Sequence, residues 1–82
     1  MASQPTSRIA ATIGANIRFA REAKGMRQRD LARKLDTEAF MVSRWERGAH
    51  KPSDERMYEL ADALGRDVEW FFADNQPERE AA

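Results

Sequence analysis

The stretch that decides the fold is residues 27–48. It reads Arg27-Gln28-Arg29-Asp30-Leu31-Ala32-Arg33-Lys34-Leu35, then Asp36-Thr37-Glu38, then Ala39-Phe40-Met41-Val42-Ser43-Arg44-Trp45-Glu46-Arg47-Gly48. Leu31, Ala32 and Leu35 form the apolar edge of a helix from about Gln28 to Leu35, with Asp30 and Lys34 an i, i+4 pair in the favourable order. Val42 and Trp45 are the inward positions of a second helix, from about Ala39 to Arg47, which Gly48 stops. Only Asp36, Thr37 and Glu38 separate the two helices, so they meet at a tight corner. By spacing alone Phe40, Ser43, Arg44 and Arg47 share the face of the second helix opposite Val42 and Trp45.

Outward from this corner the chain continues as helices. Upstream, Ser7 is a cap candidate, and Ile9, Ile13, Ile17 and Ala20 make one apolar stripe. Gly14 interrupts it at about 1 kcal/mol relative to Ala, which predicts a helix beginning near Gly14 with Arg8 to Ile13 loosely attached. Gly25 ends that helix. Downstream, the loop from Gly48 to Pro52 carries His50 and Lys51. Ser53 then caps a helix with Asp54 and Glu55 in its first turn and Met57, Leu60, Ala61 and Leu64 as its stripe, stopped by Gly65. Asp67 is the cap candidate for a fifth helix, Val68 to about Ala73. Residues 1–8 read as a flexible N-terminus, 9–73 as one folded domain and 74–82 as a flexible acidic tail. Nothing reads as a strand or a repeat.

The composition narrows the chemistry. With 82 residues the chain is one small domain, and 41% hydrophobic with 34% charged residues is a globular balance. It has no cysteine and one histidine, His50, so disulfides, thiolate metal sites and cysteine nucleophiles are excluded, and neither a phosphate-binding glycine loop nor a His-rich metal cluster is present. The reading is therefore of a protein that is not an enzyme and has no cofactor, no metal and no catalytic residue. No apolar run approaches the roughly 18 residues needed to span a membrane, and the start, MASQPTSR, lacks a signal-peptide pattern, so a cytoplasmic location is expected. The formal net charge of zero conceals a division: residues 1–51 carry +6 and residues 52–82 carry −6. The basic half suits a polyanion, and the acidic half would turn away from it, although charge runs are commonly just solvated surface.

The residues of the corner, followed by Lys51-Pro52-Ser53 and Leu60-Ala61-Asp62-Ala63-Leu64-Gly65, resemble the Cro and phage-repressor (lambda-repressor-like) helix-turn-helix family. That family's usual form is Gln-x-x-Leu-Ala followed by Ile-Ser-x-Trp-Glu-x-Gly. Upstream, Ile17-Arg18 and Arg21-Glu22-Ala23-Lys24-Gly25 match its first helix, and the likeness spans roughly Ile13 to Phe72. The resemblance implies an all-α, compact five-helix bundle whose second helix crosses the phosphate backbone of double-stranded DNA while the third lies in the major groove. It implies a bacterial or phage transcriptional regulator, a repressor at a palindromic operator.

Carried over by position, the base-edge residues are Ala39, Phe40, Ser43 and Arg44, in agreement with the outward face read from spacing. Arg44 suits a bidentate contact to guanine and Phe40 a thymine methyl; the plainer readings are a surface ion pair for Arg44 and ordinary core for Phe40. Phosphate contacts are expected from Arg27, Gln28 and Arg29 at the start of the second helix, and from Arg47, His50 and Lys51 beyond the third. The family also implies a buried ion pair between Arg21 and Glu46. Three departures stand out: Arg27 where Ser or Thr often caps, Asp36 where Gly is usual, and Glu38 in place of a Ser or Thr cap. Asp36 is expected in the left-handed conformation, or else Asp36 or Thr37 caps the third helix. Trp70, Phe71 and Phe72 are consecutive, so about 100° apart on a helix, and one side of a bundle cannot bury all three. With the family's habit of pairing through C-terminal helices, they are the expected homodimer interface. The alternative is an interaction module, such as an antitoxin with a protein partner, in which the acidic tail and these aromatics are the active surface.

Overall fold

A computed structural model describes residues 7–81; residues 1–6, read above as part of a flexible terminus, and residue 82 lie outside the described residues. The Ser7 hydroxyl accepts from the Ala10 N–H at 3.0 Å and starts α1, Arg8–Ala23. The helix does not begin at Gly14; it runs unbroken through it. Its buried face is Ala10, Ile13, Gly14, Asn16, Ile17, Ala20 and Arg21, while Ile9 is 49% exposed. Ala10 therefore takes the place in the stripe that the spacing assigned to Ile9.

The corner consists of α2, Gln28–Lys34, and α3, Ala39–Glu46. Asp30 does not pair with Lys34. Its carboxylate accepts from the Arg27 backbone N–H at 2.9 Å and from Arg27 Nε at 3.1 Å. Those bonds hold the Asp30 carboxyl below the usual carboxylate range, the backbone bond contributing most. Asp30 thus supplies the half of a capping box that serves the Arg27 backbone N–H, while the Arg27 side chain, having no acceptor, cannot supply the other half, a bond to the Asp30 N–H. At the other end of α2, Thr37 N–H donates to the Ala32 carbonyl at 2.9 Å around Asp36, whose φ is 55°. This is the left-handed helix closure that glycine usually provides. Neither Asp36 nor Thr37 caps α3. Glu38 occupies the cap position, and its side chain makes no cap hydrogen bond.

Ser53 caps α4, Asp54–Leu64, by accepting from Arg56 N–H at 3.2 Å, and α5 is Val68–Phe72. A sixth helix, α6, follows at Gln76–Ala81. The bundle is thus all-α with six helices among the described residues rather than five, and its last helix lies in the segment expected to be a flexible acidic tail. Three ion-paired or hydrogen-bonded residues hold it: Glu78 accepts from Arg66 Nη2 at 2.8 Å and from the Trp70 indole at 3.1 Å, and Arg79 donates to Asn16 Oδ1. The core joins Ile13 and Ile17 of α1, Leu31 of α2, Val42 and Trp45 of α3, Met57, Leu60 and Leu64 of α4, and Phe71 of α5. Arg56 of α4 locks the corner from behind, donating to the Leu35 carbonyl at 2.6 Å. No described helix is long and apolar enough to cross a membrane.

Candidate nucleic-acid interface

Because Val42 and Trp45 are buried, the opposite face of α3 is turned outward. Phe40 is 55% exposed, which removes it from the core, and the Arg44 guanidinium lies 5.5 Å from the centre of its ring. Ser43 is half-buried, and its hydroxyl accepts from Arg47 Nε at 3.3 Å. Ala39 is half-buried and packs with Met41 against the core edge, so it lies at the margin of this face. The outward surface of α3 is therefore an aromatic ring, a hydroxyl and two guanidiniums. Glu38 stands exposed at its start.

The residues expected at phosphates divide into two groups. Arg27 and Arg29 are exposed at the start of α2, with Arg27 drawn to Asp30. Gln28, half-buried, turns inward, and its amide nitrogen donates to Glu46 Oε1 at 3.0 Å. Arg47, His50 and Lys51 are exposed at and beyond the C-terminal end of α3. Gly48, at φ 73°, turns the chain there, and Ala49 N–H donates to the Arg44 carbonyl at 2.9 Å. Lys51 Nζ lies 5.8 Å from the centre of the Phe72 ring. Among the described residues, Arg29, Arg33, Arg44, Arg47 and Lys51 form no ion pair, whereas Arg56, Arg66 and Arg79 of the acidic half all do. The cations of the corner and its loop are left available to an anion from outside.

One internal network supports α3. Arg21 Nε donates to Glu46 Oε2 at 2.6 Å and Arg21 Nη2 to Glu46 Oε1 at 3.0 Å, with side-chain exposures of only 9% and 3%. The Glu46 carboxylate makes the Arg21 guanidinium more basic than usual, its hydrogen bonds outweighing the opposing effect of burial. Arg21 Nη1 also donates to the Met26 carbonyl at 2.7 Å. With Gln28, the network ties α1, the turn after it and α2 to the last residue of α3.

The three aromatics of α5 have separate fates. Phe71 is fully buried in the core and is withdrawn from the expected dimer surface. Trp70 is half-buried beneath the Arg66 guanidinium, 4.1 Å from its ring centre, and beside α6. Phe72 alone is markedly exposed, at 41%. The 100° step between neighbours sends each ring in a different direction.

Sequence reasoning passed over Asn16, which is fully buried. Its Nδ2 donates to the carbonyls of Phe71 at 2.8 Å and Ala73 at 2.9 Å, closing the end of α5. The signal was a lone amide inside an apolar stripe. Gly14 was read as a helix breaker; a Cβ there would lie 2.7 Å from the Glu46 carbonyl oxygen and closer still to that of Trp45. Its function is close approach of α1 to the end of α3. Among the described residues no cluster of His, Asp and Glu is arranged to hold a metal ion.

A helical bundle that presents a short aromatic and cationic helix across a tight turn from a second, cation-flanked helix is a helix-turn-helix domain. The family model described as Helix-turn-helix matches residues 17–71. The chain belongs to the Cro/C1-type helix-turn-helix family. It is 35% identical over 69 residues to the HTH-type transcriptional regulator DicA of Escherichia coli (strain K12), covering 80% of this chain and 51% of that one. It is 32% identical over 66 residues to an uncharacterized transcriptional regulator in the ATPase CF(0) region of Rhodospirillum rubrum, covering 80% of this chain and 61% of that one. The chain therefore spans half to three-fifths of the length of these curated relatives. Among solved structures, the clp gene regulator ClgR from Corynebacterium glutamicum superposes with a TM-score of 0.78 at 26% identity, over 94% of this chain and 82% of that one. These relatives are named transcriptional regulators, not enzymes.

Proposed function

We propose that this protein is a sequence-specific double-stranded DNA-binding regulator, a repressor that places α3 in the major groove of a palindromic operator as a homodimer and acts in the cytoplasm. The observation that carries the reading is the outward face of α3: Phe40, Ser43 and Arg44, flanked by Arg29, Arg47 and Lys51, which form no ion pair among the described residues. Arg44 reads a base edge, and Phe40 both steadies the guanidinium and offers an apolar surface to a thymine methyl. Arg27, Arg29, Arg47, His50 and Lys51 contact phosphates. The Gln28 amide, holding Glu46, has one remaining N–H for the same purpose. Support for pairing comes from Phe72 and Ile9, both exposed on one concavity of about 480 Å³ with Arg8, Thr12 and Arg79. Two α3 helices related by a twofold axis would reach half-sites roughly 34 Å apart.

Selection of bound sequences from a random duplex pool tests this reading, and a palindrome is expected. Arg44→Ala should then flatten preference at one or two base pairs per half-site, a loss of about 1–3 kcal/mol of discrimination. Lys51→Ala should weaken all sequences alike and lower the salt slope by about one ion per contact. An Arg44→Ala protein that merely rescales affinity on every operator variant removes the base-reading role. A parent chain that shifts no duplex but holds a tight protein partner supports the interaction-module reading instead.

A further inference from the structure

Lys51 and Phe72 are 21 positions apart and lie on different elements, yet the ammonium sits 5.8 Å from the ring centre. Both partners are held from behind. The backbone before Lys51 is fixed by the Ala49 N–H bond to the Arg44 carbonyl, and the backbone after it by buried Pro52. Phe72 ends α5, and the carbonyls around it are occupied: Asn16 Nδ2 takes those of Phe71 and Ala73, and Asn75 Nδ2 takes that of Trp70 at 2.6 Å. The anchorage thus runs from α1 through Asn16 to the end of α5, and from the ring to the ammonium. A lysine side chain has four rotatable carbons and loses much freedom when it is fixed on a phosphate. A ring face that already attracts the ammonium reduces that loss, since the side chain is confined before the phosphate arrives.

We infer that Phe72 is a positioning residue for DNA-backbone binding, its ring holding the Lys51 ammonium where the phosphate beyond α3 is met. The inference rests on the DNA-binding reading above and adds to it a residue on α5, outside the two helices of the corner. It is separate from the pairing role proposed for Phe72 above, because it is exerted within one protomer and only through Lys51.

The test is a double-mutant cycle on the full chain, read by fluorescence anisotropy with the selected operator and with an unrelated duplex. Phe72→Leu keeps an apolar side chain and removes the ring. It should weaken binding to both duplexes by about two- to fivefold per protomer, the effect of an exposed cation–ring contact. Leucine also keeps apolar surface at the concavity proposed for pairing, so half-site preference and the sedimentation of the saturated complex should not change. Phe72→Tyr should restore affinity. In a Lys51→Ala background, Phe72→Leu should have no further effect. On the free protein, the Lys51 ε-methylene protons should resonate upfield through the ring current and return to ordinary positions in Phe72→Leu. Equal losses in both backgrounds, no loss at all, or a complex that falls to one protomer per operator would each overturn the positioning role while leaving DNA binding intact. A parent chain that binds no duplex overturns the DNA-binding reading and this role together, and the ring-current shift then reports only the contact.

Discussion

Replacing Gly14 by Ala tests the packing that orients α3. In an exposed helix interior the change should stabilise, by about 1 kcal/mol, because Ala loses less backbone freedom on folding. Here the new Cβ would meet three backbone atoms: the Glu46 carbonyl oxygen at 2.7 Å, its carbon at 2.9 Å, and the Trp45 oxygen nearer than either. None belongs to a flexible side chain, so relief requires α1 and the end of α3 to separate. Separation strains the Arg21–Glu46 bonds at 2.6 and 3.0 Å and loosens Ile13 and Ile17 in the core. Overpacking of this kind destabilises by about 1–3 kcal/mol and sometimes more, and the disturbed buried pair adds to it. We therefore expect a net destabilisation of about 2 kcal/mol after the propensity gain, a fall of roughly 10 °C in Tm for a domain of this size. Thermal and urea unfolding followed by circular dichroism measure it. A Gly14→Ala protein that melts at or above the parent temperature would refute the close-approach argument and return Gly14 to the status of a tolerated helix breaker.

Other substitutions probe separate parts of the molecule. Glu46→Ala strands the buried Arg21 guanidinium and should cost about 3–5 kcal/mol in urea unfolding; a loss under about 1 kcal/mol would place the pair with surface charges. Asp36→Gly relieves a left-handed non-glycine residue and should raise stability by about 1 kcal/mol, leaving the selected DNA sequence unchanged; a lower Tm counts against it. Arg66 and the Trp70 indole hold the Glu78 carboxyl below the ordinary carboxylate range, in that order of effect. The contribution of Glu78 is therefore complete above the unfolded carboxylate range and is lost as pH falls through the lower, folded value. Fluorescence of the parent should change there as α6 releases Trp70, and Glu78→Gln should abolish that acid step; an identical acid profile in the variant would assign the step elsewhere.

The corner was legible because its signals are local. Leu31, Ala32, Leu35, Val42 and Trp45 obey the helical period, and a three-residue gap leaves the second helix few places to go. Asp36 was legible only in part: the glycine usual at that position pointed to a left-handed residue, but a cap on α3 by Asp36 or Thr37 stood as the alternative until its φ of 55° decided between them. What escaped were the long-range pairings other than Arg21–Glu46, which only the family resemblance supplied. Nothing near Asn16 in the sequence shows that the carbonyls of Phe71 and Ala73 lie beside it, and nothing near Gly14 shows that Trp45 and Glu46 press on it. The segment after Asp74 looked like solvated acid because its partners, Arg66, Trp70 and Asn16, are distant in the chain. Composition registers the charges of Glu78 and Arg79 but not their neighbours.

These pairings explain how so small a bundle can present α3, the proposed reading helix, in one orientation. The last residue of α3 is held by Arg21 and Gln28 through Glu46, and its last carbonyls lie against Gly14. The first residue follows a left-handed turn and a cap position whose side chain makes no cap bond. Anchorage is thus concentrated at the C-terminal end, where Arg47 and Lys51 also stand. The phosphate contacts proposed there would act on the best-fixed part of α3 and so set register with little reorganisation. Phe40 lies at the less restrained end, where a small tilt can adjust to a base pair, whereas Arg44 stands two residues before Glu46 and adjusts through its own long side chain. Affinity and specificity are therefore separated by face and position: losses at Arg47 and Lys51, beyond Glu46, should weaken every sequence, and losses at Phe40 and Arg44 on the outward face should change which sequence is preferred.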